Sequence, residues 1–113
     1  TFIAGEDLSA AQFKFVTLEA DGQVDLADSA GENAMGVCLA GAAAGAAVTV
    51  CVSGSVMVEA GGAITAGDQI QTGADGTALL AATGDVVLGY AREDGVDGQI
   101  IEIEMIQGGN VAA

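Results

Sequence analysis

The side chains able to do chemistry in this chain are carboxylates and two thiols. Sixteen Asp and Glu stand against Lys14 and Arg92 alone, histidine is absent, and the cysteines are Cys38 and Cys51. The missing imidazole removes the commonest general base, the usual partner of a nucleophilic serine and the commonest neutral metal ligand. A catalytic lysine would have to be Lys14, which stands between Phe13 and Phe15 with no desolvated pocket implied around it. The carboxylates gather in two runs, Asp21, Asp25, Asp28 and Glu93, Asp94, Asp97. Calcium needs several oxygens in one tight loop, and neither run has the EF-hand order of alternating acids, a central Gly and a closing Glu. A glycosidase pair would need two acids facing across a cleft, and a sugar site would need aromatic platforms that this sequence lacks. The runs read as solvated turns. No catalytic residue, metal ligand or cofactor is expected, and the chain is read as a non-enzyme.

The thiols carry a sharper geometric argument. If residues 37–39 pair antiparallel with residues 50–52, Val37 faces Val52, Cys38 faces Cys51 and Leu39 faces Val50. Both thiols then lie opposite each other on the face away from the core, in reach of a strained cross-strand disulfide. The other reading is a pair of free, inert thiols, which a reducing cytosol favours.

The elements that must position these groups are strands. Eighteen glycines and no proline imply many tight turns. Ala20-Asp21-Gly22 recurs as Ala74-Asp75-Gly76, 54 residues on, and Met35-Gly36-Val37 aligns with Leu88-Gly89-Tyr90, 53 residues on. Asp-Gly is a hairpin turn signal, because it fills two positive-φ positions. Period-2 alternation marks Ile101-Glu102-Ile103-Glu104-Met105 and Val48, Val50, Val52 as strands with one buried and one wet face. The reading is an all-β chain, a small β-barrel or sandwich of β-tulip type, built from pseudo-repeated halves at about residues 13–59 and 67–106. Residues 60–66 look like the join. Residues 1–12 show no alternation and read as an extended N-terminal arm ahead of a single β domain at residues 13–113, mobile until it finds a partner. The carrier-domain cadence of Gly54-Ser55-Val56, Gly61-Gly62 and Gly67-Asp68 lacks the hairpin lysine that carries a prosthetic group.

The formal charge of −14 repels phosphates and anionic membranes, so no nucleic acid or membrane partner is expected. The apolar stretch at residues 37–58 is interrupted by Gly41, Gly45, Ser53 and Gly54, and the first residues carry Glu6 and Asp7 where an export signal needs cations. Synthesis in the host cytoplasm is the expectation.

Three stretches, Phe13-Lys14-Phe15-Val16-Thr17-Leu18 with Ala20-Asp21-Gly22, Val50-Cys51-Val52-Ser53-Gly54 with Ala63-Ile64-Thr65-Ala66-Gly67-Asp68, and residues 81–89, resemble the capsid cement (head decoration) family of tailed phages. The resemblance implies a small β module on the outer capsid surface of the virion. It also implies the major capsid protein as partner, self-association as a homotrimer and stabilisation across capsomer boundaries, where many weak copies sum. Phe2 and Ile3 on the arm, with Phe13, Lys14 and Phe15, are the expected capsid contacts. For Phe13 and Phe15, entry into the core is the competing reading. A secreted or surface-layer adhesin-type β module is the alternative function.

Overall fold

Short apolar and β-branched runs punctuated by glycine leave the chain no length for a helix, and every regular element of the computed structural model, which describes residues 2–106, is a strand. In order these are β1 (Phe2–Ile3), β2 (Phe15–Leu18), β3 (Val24–Leu26), β4 (Gly36–Cys38), β5 (Ala47–Val48), β6 (Val50–Cys51), β7 (Gly54–Glu59), β8 (Gln69–Thr72), β9 (Ala78–Leu80), β10 (Gly89–Ala91) and β11 (Ile100–Met105). They form a four-stranded sheet, β3-β2-β4-β6, a five-stranded sheet, β7-β11-β10-β8-β9, and the pair β1-β5. The architecture is a sandwich and not a closed barrel.

The two sheets are one pattern used twice. Val16↔Leu26 and Leu18↔Val24 become Ile70↔Leu80 and Thr72↔Ala78, and Val37↔Cys51 becomes Tyr90↔Glu104. Each Asp-Gly turn has its Gly at φ 82 but its Asp at negative φ, so one positive-φ position is filled and not the two expected, and the Asp Oδ1 accepts from the backbone N–H two residues on, of Gln23 and of Thr77. Gly36 and Gly89 are equivalent for a steric reason. A Cβ on Gly36 would lie 2.2 Å from the Cys51 carbonyl oxygen, and one on Gly89 2.3 Å from that of Glu104.

The repeat also includes residues 2–12, which were expected to lie outside it as an arm. The segment is extended, but it is docked. The Ala4 N–H donates to Ala46, Leu8 to Ala42 and Phe13 to Cys38; in the second half Ala60 donates to Gln99, Ile64 to Gly95 and Gly67 to Ala91. Residues 60–66, read as the join, are thus the counterpart of the supposed arm. The match escapes a fixed period because the offset is 56 residues for Leu8 and Ile64 but 54 for Phe13 and Gly67. Phe13 stands at φ 65 and Gly67 at φ 92, so the first half forces a phenylalanine into a conformation for which the second half uses glycine.

Two cores follow from this layering. Phe15, Val37, Val56, Val58, Ile70, Ile101, Ile103 and Met105 fill the space between the sheets. On the other face of the four-stranded sheet, Val16, Val24 and Cys38 are covered by Ala4, Leu8 and Ala11 together with Val48 of β5. Both faces of β2 are therefore buried, by Phe15 on one side and Val16 on the other.

Candidate functional site

Of the five residues expected to meet the capsid, the structure leaves one large side chain open. Ile3 is 41% exposed, whereas Phe2 is half-buried and paired with Val48. Phe15 is fully buried between the sheets, which removes it as a contact and bears out the competing reading for that ring. Phe13 and Lys14 are half-buried where the halves join. The Phe13 carbonyl accepts the Glu59 N–H, and the Phe15 N–H donates to the Gly76 carbonyl. This tripeptide ties one sheet to the other.

The thiol pair is also corrected. Cys38 faces Val50, and Cys51 faces Val37, one residue away from the expected register. A one-residue slip sends each side chain to the opposite face. Cys38 lies buried in the core beneath the N-terminal segment, Cys51 packs half-exposed against the core between the sheets, and both are free. Burial pushes the Cys38 thiol up from its ordinary pKa, so it is an unreactive packing group.

The acidic runs serve turns. Asp94 Oδ1 accepts the Ala66 N–H at 2.8 Å, Glu93 Oε2 that of Glu102 at 2.8 Å, and Asp21 Oδ1 that of Gln23. Among the described residues no group of three or more acids and cysteines is placed to hold a metal ion. A shallow depression of about 220 Å³ is lined by Glu6, Thr17, Glu19, Asp25, Asp28 and Glu32, among others. Asp25 has one oxygen buried without a hydrogen-bond partner, and burial together with Glu6, Glu19, Asp21 and Asp28 raises its pKa. This is crowding of like charge.

The surface best equipped for recognition is the outer face of the five-stranded sheet. Alternation along β7 and β11 turns Val56, Val58, Ile101 and Ile103 inward, and so turns Ser55, Met57, Ile100, Glu102 and Glu104 outward. Cross-strand register then lays Ser55, Glu104, Tyr90 and Gln69 in one row and Met57 beside Glu102 in the next. Arg92 sits among them, with Nη1 3.2 Å from Glu104 Oε1, Nε 3.9 Å from Glu102 Oε1 and Nη1 3.5 Å from Ser55 Oγ, while the Ser55 hydroxyl donates to Glu102. These ion pairs are about half exposed and contribute little to folding, about 0–1 kcal/mol each, so a partner can replace them at small cost. Tyr, Met and Arg are the residue types enriched at the centres of protein interfaces. The alternating glutamates of residues 101–105 marked this face as wet. That Tyr90, Met57 and Arg92 converge on it requires the register.

The match to a family model decides the class. The phage cement protein model covers residues 4–105, from the docked N-terminal segment to the end of β11, and the chain belongs to that family. It is thus a structural virion component associated with the phage capsid. Among solved structures, the head fiber gp8.5 N base of bacteriophage phi29 has a similar fold, with a TM-score of 0.75 and 22% identity over 93% of this chain and 90% of that one. No curated protein sequence matches the chain.

Proposed function

We propose that the protein decorates the outer surface of the assembled capsid, binds the major capsid protein and stabilises the shell across capsomer boundaries. The observation that carries this reading is the extent of the family match, which takes in both halves of the duplicated fold. The outer face of the five-stranded sheet is the proposed contact, with Tyr90 and Met57 as anchors and the surrounding glutamates meeting basic groups on the shell. A homotrimeric form belongs to the same proposal. Each copy needs only modest affinity, because a shell opens only when many copies release together.

The test is co-sedimentation of purified protein with empty heads that lack it, read as stoichiometry and as the temperature at which heads rupture. Saturable binding with a raised rupture temperature is expected, and Tyr90→Ala combined with Met57→Ala should weaken it at least about tenfold, the loss of one modest hot spot. Absence of binding by the folded native protein would overturn the reading and favour a surface-layer module.

A further inference from the structure

Each half of the duplication carries the same seat for a turn. In the first half the seat is Phe13-Lys14-Phe15 with Leu26, and the second half sits in it. The Phe13 carbonyl accepts the Glu59 N–H, and the Phe15 N–H donates to the Gly76 carbonyl. Gly76 closes so tightly on Leu26, Phe15 and Lys14 that a Cβ there would lie 2.7 Å from the Leu26 side chain. The turn also brings a charge to the junction: the Asp75 carboxyl, lowered in pKa chiefly by the Thr77 hydroxyl, is lowered further by Lys14.

Shifted by 54 residues, the seat recurs as Gly67-Asp68-Gln69 with Leu80. Its backbone repeats as well. The Lys14 N–H donates to Ala11 and the Asp68 N–H to Thr65; Ala27 donates to Phe15 and Ala81 to Gln69. This second seat is open. Gly67 and Gln69 are exposed, and Leu80 is 55% exposed where Leu26 is half-buried. Gln69 also begins the outer row that continues through Tyr90 and Glu104, the counterparts of Val37 and Cys51.

Given the capsid contact proposed above, we propose that the second seat receives a glycine turn of the capsid protein that carries a basic residue where the first junction carries Asp75. Charge selects the occupant. Asp68 stands where Lys14 stands, so the sign at the junction is reversed, and the matching turn is Lys-Gly or Arg-Gly in place of Asp-Gly. A second copy of this chain is a poor occupant, because either of its own turns, Asp21-Gly22 or Asp75-Gly76, would set a carboxylate against Asp68. Glycine in the partner serves the close approach that Gly76 makes in the first seat. The composition of the two seats follows from when they are filled. The one closed during folding has Phe15, Val37 and Cys51, whereas the one that waits in water has Gln69, Tyr90 and Glu104.

Co-sedimentation of variants with heads that lack the protein tests this. Asp68 Oδ2 accepts the Thr65 N–H at 2.9 Å, and Asp68→Asn keeps an acceptor for that bond while removing the charge. It should weaken head binding about three- to fivefold at about 0.1 M salt with the melting temperature retained, and the difference should vanish at about 1 M. Asp68→Asn combined with Leu80→Ser should weaken binding at least about tenfold. Asp21→Asn, the same loss of charge on the first-half turn, should leave it unchanged. Full binding by the Asp68 and Leu80 variants beside a binding native protein would overturn the second seat and leave the capsid contact standing. Equal losses from Asp68→Asn and Asp21→Asn would overturn it too, since net charge alone would then be read. A native protein that does not bind heads would overturn the proposed function and the seat together.

Discussion

Asp25 carries its charge at a disadvantage. One of its oxygens is buried without a partner, and burial first, then four neighbouring carboxylates, raise its pKa above the ordinary 3.8. The folded chain therefore holds this proton more tightly than the unfolded chain. The associated stability is fully present below the ordinary aspartate pKa and is lost as pH rises through the raised value. Asp25→Asn should stabilise the protein at pH 7 by about 0.5–1 kcal/mol, the scale of a like-charge surface contact, with a smaller gain near pH 4. Urea midpoints at the two pH values check both the sign and the trend. Asp75 has the opposite sign: the Thr77 hydroxyl donates to it at 2.6 Å and lowers its pKa, so its contribution is present at neutral pH and fades on acidification. Phe13 offers a second test at this scale. Its φ of 65 is a glycine conformation, so Phe13→Gly should be more stable than Phe13→Ala by about 1 kcal/mol, although Ala ordinarily stabilises relative to Gly. If Ala is the better replacement, the conformation is not strained in solution.

At the scale of elements, the equivalence of Gly36 and Gly89 makes a paired prediction. A methyl at either site meets a backbone carbonyl across the strand pair, and backbone cannot rotate aside as a side chain can. Gly36→Ala and Gly89→Ala should each destabilise by more than about 2 kcal/mol, whereas Gly22→Ala, with open space around its Cβ, should show only the left-handed penalty of about 1 kcal/mol. Comparable losses at all three sites would overturn the steric account. Leu8 tests the docked segment: it is buried with Ala4 and Ala11 against Val16 and Val24, so Leu8→Ala should destabilise by about 2–4 kcal/mol. A loss below about 0.5 kcal/mol would mean that the segment is free in solution. Some of this organisation was legible in the residues. Alternation and the Ala-Asp-Gly turns locate β2, β3, β8, β9 and β11, and the two offsets align them correctly. The first twelve residues were not, because Ala4, Leu8 and Ala11 follow neither period 2 nor a constant offset from their counterparts. The Cys38–Cys51 register failed for a related reason: alternation gives the face only once the pairing is known, and one residue reverses it. The recognition face depends wholly on register, since Tyr90 reaches Glu104 only across a strand pair.

For the whole molecule, charge sets a relation between stability and capsid binding that salt can separate. With 16 acidic residues against two basic ones, repulsion opposes compaction, and the screening length falls from about 10 Å at 0.1 M salt to about 3 Å at 1 M. The isolated chain should therefore melt at a higher temperature as sodium chloride rises over this range. Binding to a basic capsid surface through the glutamates around Arg92 should weaken, because there the charges attract. Measured on one preparation, melting temperature should rise with salt while head binding falls, mostly through a slower association rate. Head binding that strengthens with salt would place the capsid contact on the uncharged stretch between Glu32 and Glu59, and the outer face of the five-stranded sheet would then lose its proposed role.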